Sequence, residues 1–311
     1  MYYLVYIPIY LISLLPLRVL YIIADGIYGL LYYLVGYRKK VVLSNLTIAF
    51  PHKTEAERIK IMKGFYKNFV DTFIETIKLL SAGKSFLEKH VEVKNVEILN
   101  GLYARKRRVQ VHLGHNFNWE YANAAFAAQT PYTFLGVYMP IKNKNFDRMF
   151  RFLRSRFGTV LIPATDMRNS MLPYRHELYL LGLVADQVPG DVQRAYWLNF
   201  FGKPAPFARG PERGARAGDI SVVFAKIYKL KRGKYVVEFS MGVEHPTKLE
   251  EGALTAKYVK FLEEVINLHP DMWLWSHRRW KREWKDEYEA NWVDDRFPNP
   301  ASGKSGDVKY P

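Results

Sequence analysis

Hydrophobic positions along the chain change period several times, and each change predicts an element. Residues 54–81 (TEAERIKIMKGFYKNFVDTFIETIKLL and the serine after it) carry Ile59, Met62, Phe65, Phe69, Phe73, Ile77 and Leu80 at helical spacing. Thr54 is a good N-cap, and Glu57 three residues on completes a capping box. Residues 90–98 (HVEVKNVEI) and 109–113 (VQVHL) alternate as strands do. Strands are also expected at 134–139, 159–163, 220–229 and 234–242, and helices at 145–157 and 249–268. Residues 167–177 read as a helix disturbed by Pro173. LYLLGLVAD (178–186) is a continuous apolar run, the pattern of a strand covered on both faces. This alternation predicts an α/β sheet with helical cover.

The first 37 residues break the pattern. They are apolar throughout, with side-chain charge only at Arg18 and Asp25, and Arg38, Lys39 and Lys40 come directly after. A membrane span needs about 20 mostly apolar residues. The segment is therefore expected to be a retained membrane anchor, with the basic cluster placing the rest of the chain in the cytoplasm. Tyr2, Tyr3, Tyr6, Tyr10, Tyr21, Tyr28, Tyr32 and Tyr33 suit a membrane interface, and Pro8 and Pro16 would bend a helix. A span and a helix lying in the interface both remain open. A buried core helix is the competing explanation, though soluble helices rarely run apolar on every side for so long. The expected organisation is an anchor at 1–37, a catalytic domain at 38–290 and a loose tail at 291–311.

Composition adds limits. Of 311 residues, 49% are hydrophobic and 15% aromatic, which excludes a wholly disordered chain. Cysteine is absent, so disulfides, thiolate metal sites and a cysteine nucleophile are excluded. The net charge of +16 suits nucleic acid, an anionic membrane or a polyanionic substrate. The apolar segment favours the membrane, and no nucleic-acid module is recognisable. RRWKREWK (278–285) interleaves cations with tryptophan, as an interfacial helix does, or as a surface helix with its tryptophans turned inward.

The candidate chemistry lies in VQVHLGHNFNWEYANAAFAAQ (109–129). The strand ends near Leu113, Gly114 allows a turn, and Asn118 is placed to N-cap a helix from Trp119 to about Gln129. Five residues apart on one helix, two side chains would stand about 140° apart. With His115 on the loop and Glu120 in the first helical turn, the ring can fold back onto the carboxylate. That contact would fix the tautomer and leave the other ring nitrogen as a base. Dipole stabilisation is the ordinary explanation of a glutamate in a first turn. His112, His115 and Glu120 have no clear further ligand to complete a metal site, so neither metal nor cofactor is expected.

HNFNWE (115–120) resembles the His-x-x-x-x-Asp/Glu motif of the lysophospholipid acyltransferase superfamily, in the form found in the late acyltransferases of lipid A biosynthesis (the lauroyl and myristoyl transferases). RKKVVLSNLTIAFP (38–51), residues 136–171, VADQVPGD (184–191), WLNFFGKPAPFARGP (197–211) and DMWLWSHRRWK (271–281) are similar to the family's other blocks, in the family's order. The resemblance implies a glycerol-3-phosphate-acyltransferase-like mixed sheet flanked by helices. It implies acyl transfer from an acyl-carrier-protein thioester to a hydroxyl of an anionic glycolipid, at the cytoplasmic face of the inner membrane. It makes His115 the general base and Glu120 its partner, acting without a covalent enzyme intermediate. Arg154 and Arg168 would hold phosphates, and Asp186 and Gln187 would shape the acceptor site. Asn118 and Arg209 complete the expected substrate-binding set. Phe207, Arg209 and the charged stretch 211–219 depart from the family pattern where the acceptor is expected. That leaves the acceptor open to another lipid: an aminolipid, a lysophospholipid or a glycosylated phosphoinositide. A basic membrane-associated nucleic-acid-binding protein is the reading from another class.

Overall fold

The computed structural model describes residues 2–300. The chain opens with two helices, α1 (Tyr2–Leu14) and α2 (Leu17–Gly29), the second continued by a π-helical stretch at Leu30–Val35. Pro16 separates them, as expected of a residue without an N–H and with a fixed φ. Two more helices come next, α3 (Lys39–Ala49) and α4 (Glu55–Lys78). The capping box predicted for α4 is present: the Glu57 N–H donates to the Thr54 hydroxyl, and Glu57 Oε2 accepts the Thr54 N–H at 2.7 Å.

The rest alternates. In order come α5 (Lys84–His90), β1 (Val91–Lys94), α6 (Val96–Ala104), β2 (Val109–Leu113) and α7 (Trp119–Gln129). After these stand β3 (Thr133–Tyr138), α8 (Lys144–Ser155), β4 (Val160–Pro163), α9 (Met167–Met171) and β5 (Tyr179–Val184). The last elements are β6 (Tyr196–Phe200), β7 (Lys203–Phe207), α10 (Gly210–Ala217), β8 (Ser221–Lys231), β9 (Lys234–Val243) and α11 (Ala253–Leu268). Seven strands form one sheet in the order β1-β9-β8-β2-β5-β3-β4, parallel except for the β8–β9 pair. The fold is the α/β sheet with helical cover that the alternation implied, and it is mixed, as the resemblance implied. β2 is buried at every position and pairs in parallel with β5 and β8. The carboxyl ends of β2 and β5 therefore lie side by side, the place where open α/β sheets bind ligands.

Several expectations change. The strand expected over 90–98 stops at Lys94, because Asn95 turns the chain at φ 59° into α6. Asparagine is among the few residues that tolerate that region. Residues 196–207 form a separate two-stranded hairpin, which the proline-rich stretch concealed. Pro204 and Pro206 are tolerated there because a two-stranded ribbon leaves backbone positions that need no ladder bond. Residues 278–285 are not helical, because Arg279 and Trp280 turn into the core. The Trp280 ring stacks on Phe200 and the Arg279 guanidinium lies over Phe207, 4.2 Å from its ring centre. Residues 291–300, expected to be loose, are fastened instead: Asp294 accepts the Asn199 N–H, and Arg296 bonds Glu263. Positions 301–311 of that expected tail lie outside the described residues.

Candidate active site

The segment from Leu113 to Asn118 is pinned along its length. Gly114 is required by space: a Cβ there would sit 2.5 Å from Leu262 Cδ1 and 2.8 Å from Asn116 Oδ1. The Phe117 N–H donates to the Met272 carbonyl, and Asn116 bridges to Trp273. Asn118 caps α7 by accepting the N–H groups of Glu120 and Tyr121. His115 thus stands on the loop and Glu120 in the first turn.

The His115 ring does not turn to Glu120. Its Nδ1 lies 2.5 Å from Asp186 Oδ1, just beyond the end of β5, and the His115 N–H donates to Asp186 Oδ2 at 2.8 Å. The Trp273 indole also donates to Asp186 Oδ2, at 2.6 Å. Burial would raise the Asp186 carboxyl, but the imidazole beside it and these N–H donors outweigh burial and lower it to about 2. A carboxylate held in this way keeps the proton on Nδ1 and leaves Nε2 as the basic nitrogen. Nε2 lies 3.2 Å from the Gln187 side-chain amide, which suits an N–H donated to an unprotonated nitrogen.

Glu120 is engaged elsewhere. Arg154, from α8, grips it with Nε and Nη2 at 3.0 and 2.5 Å, and the Trp119 indole donates to it at 3.2 Å. Expecting Glu120 as the ring's partner is corrected on this point: a guanidinium fork satisfies that carboxylate, and a closer aspartate takes the ring. His115, Glu120, Arg154 and Gln187 line one cavity of about 620 Å³. Much of the rest of its wall is apolar, with Phe126, Phe134, Leu161 and Leu183. Gly136 and Gly182 also line it, paired in register across β3 and β5. A base at the head of an apolar slot fits a substrate with a reactive polar end and a hydrocarbon tail.

The family model described as bacterial lipid A biosynthesis acyltransferase matches residues 1–282. The chain belongs to that family. It is also 24% identical over 274 residues to the lipid A biosynthesis lauroyltransferase of Escherichia coli (strain K12), covering 88% of this chain and 89% of that protein. The block order in the sequence acquires a spatial meaning in this family member. Asn45, in the block after the apolar segment, donates to the carbonyls of Trp275 and His277 in the C-terminal block. That block supports the His115 loop through Met272 and Trp273.

Of the expected site residues, His115, Glu120, Arg154 and Gln187 line the cavity. Asp186 stands behind His115, and Asn118, expected to bind substrate, is buried as the cap of α7, so neither of these two lines it. Arg168 lies on α9 and does not line the cavity. Arg209 pairs with Glu251 at 3.3 Å and lies over the Tyr196 ring, also off the cavity. Phe207 is buried against Arg279. His112 is buried, its ring 2.8 Å from the Gln110 side chain, and burial pushes it down to about 3. Among the described residues no cluster of His, Asp or Glu is arranged to hold a metal ion.

Three contributors escape sequence reasoning. Trp273 stands out in the sequence only as part of a block. His277 accepts the Val188 N–H, and burial pushes it down to about 4. Glu75 is fully buried on α4 and accepts from Asn118 at 3.0 Å, Tyr235 at 2.7 Å and Tyr21 at 2.8 Å. Glu75 lies opposite the predicted apolar stripe through Phe65, Phe69 and Phe73, on the polar side with Asn68 and Asp71, so no local signal in the sequence marks it.

Proposed function

We propose that this chain transfers a fatty acyl group from an acyl-carrier-protein thioester to a hydroxyl of a lipid A precursor, at the cytoplasmic face of the inner membrane. His115 is the general base, and Asp186 is its positioning partner. The supporting observation is the Asp186–His115 pair at the head of the apolar cavity. Nε2 takes the proton of the acceptor hydroxyl, and the oxygen adds to the thioester carbonyl. The oxyanion that forms is countered by Arg154, held in the cavity wall by Glu120, and by the N-terminus of α7. Collapse breaks the carbon–sulfur bond, and the imidazolium returns its proton to the leaving thiolate. No acyl-enzyme forms.

The acyl chain occupies the slot between α7 and the ends of β3 and β5. The basic surface attracts the acidic carrier protein and the anionic acceptor. The reading requires neither metal nor cofactor and no nucleic-acid partner. Mass spectrometry of lipid A from cells with and without this protein tests it. Loss of one acyl chain in the deletion strain, restored by the wild-type chain, is the expected result. Unchanged lipid A rejects the acceptor.

A further inference from the structure

The N-terminal segment is fastened to the catalytic domain along one side. At the α1–α2 junction, the Lys78 ammonium donates to the carbonyls of Ser13 and Leu15, and the Ser81 hydroxyl also donates to Ser13. Farther along, Tyr21 donates to Glu75, and Arg232 bonds Asp25. Leu20 and Ala24 pack on Val70 and Ile74 of α4. These polar ties run nearly the length of α2, and their partners belong to a domain with charged surface. A helix crossing the bilayer would drag those partners into hydrocarbon. The opposite side is bare: Leu4 is 77% exposed, Ile22 72% and Leu34 80%. One side tied by polar bonds and one side apolar is the form of a helix lying in an interface.

The bare surface continues beyond these helices. Tyr6 of α1 meets Phe152 of α8 edge-on, and Arg148 lies over the Tyr2 ring at 4.3 Å. The exposed side of α8 presents Lys144, Arg148, Arg151 and Phe152. Met139, Ile141 and Phe146, on and just after the loop leading into α8, are also exposed. Met139 and Ile141 line the reaction cavity. The patch therefore runs from α1 across α8 to the cavity mouth, and it joins apolar tips to arginine and lysine.

We propose that the protein is monotopic, and that the 139–143 loop and the exposed side of α8 form a second membrane contact that seats the cavity mouth in the lipid leaflet. The occupant is an anionic bilayer surface. Phe146, Phe152, Met139 and Ile141 enter the acyl boundary, while Lys144, Arg148 and Arg151 reach the headgroup phosphates. The lipid acceptor and the acylated product then pass between leaflet and cavity without crossing water. This inference rests on the membrane location in the proposed function, but not on its chemistry.

The chain lacks cysteine, so single cysteines can be placed and labelled cleanly. The full-length variants are Leu11→Cys, Ile22→Cys, Leu34→Cys, Ile141→Cys and Phe146→Cys, with Glu287→Cys as a control. Each carries an environment-sensitive fluorophore and is bound to vesicles of phosphatidylethanolamine and phosphatidylglycerol. Nitroxides are placed at shallow or deep positions on the lipid.

The expected result is quenching at all five test positions, strongest with the shallow nitroxide, and none at position 287. Strongest quenching of position 22 by the deep nitroxide would show a span and overturn the monotopic seating. Quenching of positions 141 and 146 only by aqueous iodide would overturn the second contact. Joint replacement of Arg148 and Arg151 by serine should weaken binding to these vesicles about 30-fold, at about 1 kcal/mol per basic residue. Unchanged affinity would count against the second contact. Depth is read without turnover, so a failed acyl-transfer assay on the same preparations would be a separate result.

Discussion

Asp186 and Glu75 are both fully buried carboxylates, and they hold the two ends of one loop. Asp186 takes the His115 ring and N–H; Glu75 takes the side chain of Asn118. Their surroundings push them in opposite directions. Asp186 has an imidazole and two further N–H donors against it and is lowered to about 2. Glu75 has hydroxyl and amide donors but no cation in contact, and burial raises it to about 7 in spite of them. Burial depth is equal, so the partner decides the charge. An acid that stays ionised can orient an imidazole and stabilise the imidazolium formed in turnover. An acid near neutrality serves better as a clasp, here joining α2, α4, β9 and the cap of α7.

The sharpest way to break this contrast is Asp186→Asn. The amide keeps the shape but favours the wrong tautomer, so kcat should fall roughly 10³–10⁴-fold with KM little changed. Loss within a factor of ten would give Asp186 a structural role like that of Glu75. Next, Glu75→Ala should cost about 3 kcal/mol of stability in denaturant titrations, because three buried donors lose their acceptor. Glu75→Gln should restore most of that stability, and its turnover should remain far above that of Asp186→Asn.

The most discriminating effect is the sign of the pH dependence. Glu75 titrates near 4.5 when unfolded and near 7 here, so the folded state holds the extra proton between those values. Stability should therefore fall by about 3 kcal/mol as pH rises from 4.5 through 7, and Glu75→Gln should flatten that slope. Asp186 moves from 3.8 to about 2, so its contribution is complete above 3.8. About 2 kcal/mol should be lost as pH falls from there toward 2, and Asp186→Asn should remove this dependence. Slopes of the same sign would end the contrast.

Much of this region is legible in one dimension because its determinants are local. Asn118 can be assigned as a cap, and α7 placed from Trp119 to Gln129, since capping depends on side chains within three residues. The strand ending at Leu113 is marked by its alternation. The partner of His115 is not legible. Asp186 lies 71 positions away, brought near by the parallel pairing of β2 with β5. Glu120 is closer in sequence and chemically suitable, but Arg154 on α8 claims it. The prolines of β7 and the left-handed turn at Asn95 mislead for a related reason, since local propensity there is overruled by what neighbouring segments supply. The spatial junction of the 38–51 and 271–281 blocks, through Asn45, is likewise invisible until the fold places them together.

The central claim is that His115 performs the proton transfer. Its most direct test compares purified wild-type and His115→Ala protein, of equal thermal stability, in acyl transfer from an acyl-carrier-protein thioester to a lipid A precursor. A fall in turnover of at least about 10³-fold, with the precursor still bound, is the result predicted. Turnover within a few-fold of wild type would contradict the assignment of the base.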